Sequence, residues 1–321
     1  MSSKALGKTL VAAVLAAASL APLGAAPASA VTAPLCAARV VQHFDLHKGQ
    51  TPESIVLAPD GTAYVTFAKA RQVAEISPTG GIRVLATLPA PADGGVHTPA
   101  LGFPLTVGID RAADGTLYFA YATGTADLTG VWSLRPGGTP RRIASLPAGS
   151  LPNGLALDEK SRTLYVADST GTVWRVPATG SGAATAWSAD PALAPAGFLG
   201  ANGLKLRGGA VWVTNLDRGT VLRIPVVAGG KAGPVQVVAT GLEGIDDFAF
   251  TGRGDEIIAA LDTVNQVALV QPGGTHTVVL SAADGLQGPT SIAVRGRTVH
   301  VPSAAYLTAT DPNLLLAHLG R

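Results

Sequence analysis

One plan of short strands repeats along this chain, and it restricts the possible folds more than any other feature. Each copy begins with a polar residue, continues into an apolar run, and passes through tight turns into further strand-like segments. The leading residues, separated by 53, 47, 49, 44 and 44 positions, are Glu53, Thr106, Asn153, Asn202, Asp246 and Thr290. A period of roughly 45 residues with about four strands per copy is typical of propeller blades and not of a helical solenoid.

The two ends of the repeated region are each incomplete, and together they would complete a ring. The sixth copy, from Thr290, is followed only by the short run NLLLAHL and lacks an outer strand. Residues 38–44 form a strand-like run without a partner. Pairing these segments would remove an exposed strand edge. The sequence therefore predicts an all-β fold, a six-bladed β-propeller of four-stranded antiparallel blades whose ring is closed by the N-terminal strand.

The first 30 residues have the pattern of a secretory signal peptide. Lys4 and Lys8 give a positive start, residues 10–20 are apolar, and Ala28-Ser29-Ala30 is a small-residue cleavage site. The apolar run is shorter than the roughly 20 residues that a membrane-spanning helix needs. We expect a secreted, extracellular protein with residues 1–30 as the signal peptide and residues 31–321 as one propeller domain, without a membrane span after cleavage.

Charge and cysteine content argue against nucleic-acid binding and against an internal disulfide. The chain has 23 Lys and Arg against 21 Asp and Glu, and removal of Lys4 and Lys8 leaves the two groups equal. A neutral chain offers no electrostatic reason to bind nucleic acid. The single cysteine, Cys36, cannot form an intramolecular disulfide.

The leading residues of different copies should meet in space, because the innermost strand of each blade lines the central channel of a propeller. Glu53, Asn153, Asn202 and Asp246 hold equivalent places in blades one, three, four and five. Carboxylate and carboxamide oxygens suit a hard cation such as Ca²⁺, whereas Zn²⁺ prefers His or Cys. The pattern therefore predicts a divalent cation, most fittingly Ca²⁺, at the channel mouth.

A plainer interpretation assigns the same residues to backbone turns. Asn-Gly is a common turn dipeptide, and it occurs here as Asn153-Gly154 and Asn202-Gly203. Asp246-Asp247 fits this interpretation less well, because it starts an apolar run where an unpaired charge is costly. Five further polar residues that follow the second strand of their copies are interpreted as turn formers: Asp168, Asn215, Asp217, Asp262 and Asn265.

The leading residues and their spacing resemble the senescence marker protein/gluconolactonase family, which includes luciferin-regenerating enzymes and consists of calcium-dependent six-bladed propellers. That family carries a Glu in blade one, an Asn two blades later, an Asn in the following blade and an Asp in the next, as this chain does. The resemblance implies that Glu53, Asn202 and Asp246 ligate the metal, while Asn153 contacts the substrate or completes the coordination. It places Asp247 where paraoxonase-like sites carry a further ligand.

The chain also departs from the family pattern. Thr51-Pro52-Glu53-Ser54 stands in place of the usual Gly-Glu-Gly/Ser-Pro motif, and Ile245-Asp246-Asp247 replaces Pro-Asp-Gly. An Arg that binds the substrate in some members of the family has no clear counterpart in this sequence. These differences remove support for sugar-lactone specificity, which we expect to depend on the loops between blades, such as residues 90–103 and 189–200.

Two functions from different classes fit these observations. In the first, the protein is a metal-dependent hydrolase of a small lactone or ester. Asp246 or Asp247 then takes the proton of the attacking water and Asn153 holds the substrate. Asp247 is the better base, because a carboxylate bound to a dication is a poor one. In the second, the ring is a non-catalytic, NHL-like binding module that the cation merely stabilises. The sequence indicates no third function, because it contains no Gly-x-Ser-x-Gly, His-Glu-x-x-His, P-loop or paired-Cys motif.

Overall fold

Glycine-containing turns divide the chain into short strands that pair with their neighbours in sequence. The computed structural model describes residues 34–180 and 182–320, and within these ranges it contains 25 strands and no α-helix. Four single-turn 3₁₀ segments lie in the connections, at Leu46–Lys48, Pro191–Leu193, Ala228–Gly230 and Ala282–Asp284. The strands form six separate antiparallel sheets, which are the blades of a propeller.

Blades one to three each contain four strands in simple sequence order. Blade one consists of β2 (Pro52–Leu57), β3 (Ala63–Phe67), β4 (Gln72–Ile76) and β5 (Ile82–Thr87). Blade two consists of β6 (Leu105–Arg111), β7 (Leu117–Ala122), β8 (Gly130–Leu134) and β9 (Arg141–Ser145). Blade three consists of β10 (Pro152–Asp158), β11 (Thr163–Asp168), β12 (Thr172–Pro177) and β13 (Thr185–Ser188).

Blades four and five follow the same order, with one short addition. Blade four consists of β14 (Ala201–Arg207), β15 (Ala210–Asn215) and β16 (Thr220–Val227), which pairs with both β17 (Lys231–Ala232) and β18 (Gln236–Ala239). Blade five consists of β19 (Ile245–Phe250), β20 (Ile257–Leu261), β21 (Gln266–Val270) and β22 (His276–Leu280).

Blade six joins the two ends of the described chain. Its inner strands are β23 (Ala293–Arg295), β24 (Thr298–Ser303) and β25 (Asn313–Leu319), and its outermost strand is the N-terminal β1 (Leu35–His43). In the β1–β25 pair, Arg39 lies opposite Leu316 and His43 lies opposite Asn313. The predicted six blades and the predicted closure by the N-terminal strand are both confirmed.

The innermost strands begin irregularly where the leading polar residues lie. The ladder shifts register between Pro52 and Ser54 in blade one, and between Ile245 and Phe248 in blade five. Comparable shifts occur at the starts of β6, β10 and β14. A bulge bends its strand and re-aims a side chain. It therefore lets the leading residue point toward the channel mouth while the rest of the strand keeps its alternation.

The Asn-Gly pairs are not turns, so the plainer interpretation of them is wrong. Both pairs lie inside inner strands, β10 and β14. A Cβ on Gly154 would collide with the backbone oxygen of Asn202, and one on Gly203 would lie 2.6 Å from the Cα of Asp247. These glycines allow the inner strands of neighbouring blades to approach closely where the polar residues meet.

The apolar core lies between neighbouring blades. Val73 of blade one packs in one buried cluster with Phe119 and Trp132 of blade two. Between blades four and five, the rings of Trp212 and Phe250 meet edge to face with centroids 5.2 Å apart. Because each blade buries its faces against two neighbours, the ring holds the bulged strand ends in fixed relative positions.

We expect Gly203→Ala to destabilise the ring by about 1–3 kcal/mol or more, because a methyl group must displace the backbone of blade five. Urea unfolding would measure this loss. Gly149→Ala is the matched control, since a Cβ there meets nothing within 4 Å and the glycine does not have a positive φ. Equal stability of the two variants would contradict the close-approach explanation.

The predicted signal peptide, residues 1–30, lies outside the described residues, so it stays a prediction. Within residues 34–180 and 182–320, no helix has the length and apolar character that a membrane span requires.

Candidate active site

The four leading residues singled out by the sequence lie around one cavity at the channel mouth. Glu53, Asn153, Asn202 and Asp246 all line this space, which has a volume of about 220 Å³. They come from the inner strands of four blades, β2, β10, β14 and β19. The predicted convergence is therefore present in the structure, although the metal-binding and substrate-binding roles of these residues stay predictions.

Glu53 is a buried carboxylate with one partner from the opposite end of the chain. Its side chain is 7% exposed, and the Tyr306 hydroxyl donates a hydrogen bond to its Oε2 at 2.6 Å. Burial raises the pKa of Glu53 to about 8, and the negative charges of Asp262 and Asp247 act in the same direction. The Tyr306 hydrogen bond lowers this pKa but does not cancel the effect of burial. Charging this carboxylate is thus costly unless a cation compensates it.

Tyr306 was not identified from the sequence. It follows β24, and Ala305 before it has a φ of 55°, a left-handed conformation that is uncommon for a residue other than glycine. Burial and the charge of Glu53 raise the pKa of Tyr306, so its hydroxyl remains a donor at neutral pH. No local sequence pattern indicated this residue, because its contact with Glu53 spans 253 positions.

Two aspartates of blade five complete the acidic part of the cavity. Asp246 is 6% exposed, and burial together with the charges of Glu53 and Asp262 raises its pKa. Asp262 directly follows β20 and also lines the cavity. Its Oδ1 is buried without a hydrogen-bond partner among the described residues, and burial raises its pKa to about 6. The sequence pattern places Asp262 among the turn formers and does not predict its position at the cavity.

The two asparagines differ in their surroundings. Asn202 is 1% exposed, and its Oδ1 has no hydrogen-bond partner in the described part of the chain. Asn153 is half-buried at the edge of the same cavity. An unpartnered amide oxygen in a buried position is costly and calls for a ligand. Asn202 therefore suits a metal ligand, while the more accessible Asn153 suits a contact with substrate.

The donor set fits a hard cation. The negative charge of Glu53 makes ionisation of Asp246 more costly, and Asn202 and Asp262 each present a buried oxygen without a partner among the described residues. A dication would offset the repulsion between the carboxylates and satisfy the buried amide oxygen of Asn202. Among the described residues, no three His, Cys, Asp or Glu side chains form a metal site by themselves. The predicted set Glu53, Asn202 and Asp246 includes one carboxamide, and its metal-binding role stays a prediction.

Asp247 lies differently from its neighbour. Lys205 Nζ lies 2.6 and 2.7 Å from its two carboxylate oxygens, and the Ser291 hydroxyl donates to Oδ2 at 2.6 Å. Asp247 is not among the residues that line the cavity. Because both oxygens are already engaged, this position argues against the predicted role of Asp247 as the proton acceptor and favours a role in holding β19 in place.

The remaining wall of the cavity is mostly apolar and comes from the loops. Leu101 and Phe103 belong to the predicted specificity loop 90–103, and Phe198 and Leu199 belong to loop 189–200. At the rim, the ammonium group of Lys69 lies 4.9 Å from the ring centroid of Phe103 and 5.4 Å from that of Tyr306. The cavity thus combines an acidic floor with an apolar wall and a cationic rim.

Several solved structures resemble this chain along most of its length. A gluconolactonase-family protein is 18% identical, with a TM-score of 0.62 over 88% of this chain and 92% of the other. Luciferin-regenerating enzyme is 10% identical, with a TM-score of 0.64 over 88% and 95%. Virginiamycin B lyase from Staphylococcus aureus is 15% identical, with a TM-score of 0.57 over 88% and 100%. The chain has the propeller fold of these proteins.

Sequence comparison adds no closer relative. No protein-family profile matches the chain, and no curated protein sequence is significantly similar to it. The likeness to the solved structures supports the predicted fold, while the identities of 10–18% are too low to carry an activity from one protein to another.

The stability of the metal-free propeller should fall as pH rises from about 6.5 to 8. Glu53 has a folded-state pKa near 8 and an ordinary value of 4.5, so the folded state keeps a proton that the unfolded state has lost. Asp246 acts in the same direction. Burial lowers the pKa of His300 to about 4, which gives the opposite slope but only below about pH 6.5.

Chelator-treated protein unfolded in urea at several pH values would measure this slope. Glu53→Gln, which cannot ionise, should flatten it, and saturating Ca²⁺ should reduce it in the wild type because the cation replaces the proton. A metal-free wild type whose stability rises between pH 6.5 and 8 would contradict the prediction.

Proposed function

We propose that this protein is a secreted, metal-dependent hydrolase that opens a lactone or ester bond at the mouth of its channel, with Ca²⁺ as the cation. The observation that carries the proposal is a set of buried acidic and amide oxygens, two of them without partners, around one apolar-walled cavity. Burying such a set is costly in a purely structural protein. The predicted signal sequence of residues 1–30 supports secretion.

Glu53, Asn202 and Asp246 would hold the cation, since each presents an oxygen to the cavity from a different bulged strand. When bound, a divalent cation polarises a substrate carbonyl group and stabilises the negative charge that develops on its oxygen. The Tyr306 hydroxyl keeps Glu53 oriented through their hydrogen bond. The close approach at Gly203 keeps β14 and β19 at the spacing that brings Asn202 and Asp246 together.

Proton transfer falls to Asp262 in this proposal. It lines the cavity beside Asp246, and its buried Oδ1 has no hydrogen-bond partner among the described residues, so this oxygen is free to accept a proton. It would take a proton from water as the water attacks the carbonyl carbon. Asn153 would donate a hydrogen bond from its side-chain amide to the substrate and so fix its orientation.

The non-catalytic alternative is favoured by one observation, the engagement by Lys205 and Ser291 of Asp247, which the sequence favours as the base. In that case the cation would stabilise the ring, and the cavity would only bind a small molecule. The two functions differ in whether a metal-dependent turnover exists and whether it needs Asp262.

A hydrolysis screen over lactones and aryl esters, with Ca²⁺ and with chelator, tests the proposal. We expect turnover that chelator abolishes and Ca²⁺ restores, and we expect Asp262→Asn to slow it by about a hundredfold or more, the effect of one general base. Asp114→Asn, which changes an exposed carboxylate outside the cavity, is the control. Absence of turnover across the panel, with calcium binding retained, would favour the binding module.

A further inference from the structure

The wall of the cavity indicates what kind of molecule enters it. Of the 16 described residues that line the cavity, eight are Leu or Phe. The hydrogen-bonding groups are concentrated on the floor, where Glu53, Asn202 and Asp246 are committed to the cation in the proposed function. The polar and apolar parts of the cavity are therefore separated.

The apolar wall extends from the interior to the rim. Leu105 and Leu151 are buried at its inner part, whereas Phe198 is 48% and Leu307 is 71% exposed at the mouth. Large exposed apolar side chains beside an apolar cavity mark a surface that gains free energy when a ligand covers it. Phe103 and Tyr306, with ring centroids 6.1 Å apart, form the aromatic side of the same wall.

A polyhydroxylated ligand would fit this wall poorly. Each hydroxyl of a sugar lactone that leaves water needs a new hydrogen-bond partner, and a Leu or Phe side chain offers none. Beyond the residues assigned to metal binding and proton transfer, the lining supplies polar side chains at Asn153, Thr263 and Lys69. The Tyr306 hydroxyl also lines the cavity, but it already donates to Glu53. The Lys69 ammonium group lies at the rim, over the faces of Phe103 and Tyr306.

We propose that the substrate is a small lactone or ester with an apolar alkyl or aryl body, which packs against this wall while its carbonyl group points to the acidic floor. This inference rests on the proposed function for the bond that is broken, but the preference for an apolar body rests on the wall alone. A volume of about 220 Å³ limits the body to a compact one. Hydrolysis adds one water across the bond between carbonyl carbon and ring or ester oxygen, giving a carboxylic acid and an alcohol.

A matched pair of lactones tests the substrate class. δ-Decanolactone and glucono-δ-lactone share a six-membered ring and differ in an alkyl chain against hydroxyl groups. With Ca²⁺ present we expect kcat/KM for the apolar lactone to exceed that for the sugar lactone by about 100-fold or more. Calorimetric binding of the two corresponding lactams, which resist hydrolysis, gives a readout that does not depend on turnover.

A pair of surface variants locates the preference. Phe198→Ser should raise KM for δ-decanolactone several-fold and leave the sugar lactone unchanged, because a rim contact with the alkyl chain is lost. Val237→Ser, at a residue that is 58% exposed and does not line the cavity, should leave both unchanged. Since both side chains are largely exposed, neither variant should unfold the protein.

The outcomes separate the two proposals. Binding of the apolar lactam without turnover of any lactone would overturn the hydrolase and support the ligand class. Equal or better use of the sugar lactone, or equal binding of its lactam, would overturn the apolar class and leave the hydrolase standing. Neither binding nor turnover would overturn both.

Discussion

Replacing Asp246 with Ala should abolish together the proposed stabilisation by calcium and the proposed calcium-dependent hydrolysis. At a Ca²⁺ concentration about 100 times the dissociation constant, the wild type should gain about 2.7 kcal/mol of unfolding free energy. The variant should gain almost none, because Asp246 is buried at the point where the proposed ligands converge. Loss of the site should remove turnover in the same step.

The stability of the Asp246→Ala variant without metal gives a second expected result. Burial and the charges of Glu53 and Asp262 make an ionised Asp246 unfavourable, so Asp246→Ala in chelator at pH 8 should be at least as stable as the wild type. The order of stability should then reverse when Ca²⁺ is added. Thermal or urea unfolding with and without Ca²⁺ would measure this crossover.

Asp255→Ala is a suitable control, because Asp255 is an exposed carboxylate paired with Arg207 outside the cavity. It should leave the calcium-dependent gain unchanged. A full calcium-dependent gain in the Asp246→Ala variant would show that the cation binds elsewhere, and the proposed ligand set would then be wrong.

Replacing Lys205 with Met should cost about 3–5 kcal/mol of unfolding free energy. The ammonium group contacts both oxygens of Asp247, a residue that is 6% exposed, and the Ser291 hydroxyl alone would remain to compensate the buried charge. Because the Lys205 side chain is itself 28% exposed, water will reach the site and we expect the lower end of that range. Urea unfolding at neutral pH would measure the loss.

The double variant Lys205→Met/Asp247→Asn should recover a large part of this loss, because it removes the charge that Lys205→Met leaves without a partner. The exposed pair Arg83–Glu75 supplies the control, and Arg83→Met should change stability far less. A Lys205→Met variant no less stable than Arg83→Met would show that the pair contributes little to the ring.

Variants of the same residues test which aspartate accepts the proton in the proposed hydrolysis. If Asp247 mainly holds β19 in place, Asp247→Asn should reduce turnover through stability and geometry, and far less than Asp262→Asn does. A larger loss of kcat in Asp247→Asn, with calcium affinity retained, would restore the role that the sequence suggested.

The repeat alone determined the architecture of this protein. Strand length, apolar content and turn glycines are local properties, and copies spaced about 45 residues apart can bury their faces only against one another. The unpaired runs at the two ends predicted how the ring closes, since an open strand edge is unfavourable. Equivalent positions in equivalent copies also predicted that Glu53, Asn153, Asn202 and Asp246 would converge.

Only the tertiary structure decided where the individual groups lie and which partners they contact. Asp246 and Asp247 are adjacent in sequence, but the bulge at the start of β19 places one at the cavity and leaves the other against Lys205. Tyr306 reaches Glu53 from 253 positions away, and Asp262 has the same local pattern as ordinary turn residues. Side-chain direction at a bulge and contacts between distant blades depend on packing across the whole ring, so no local sequence pattern specifies them.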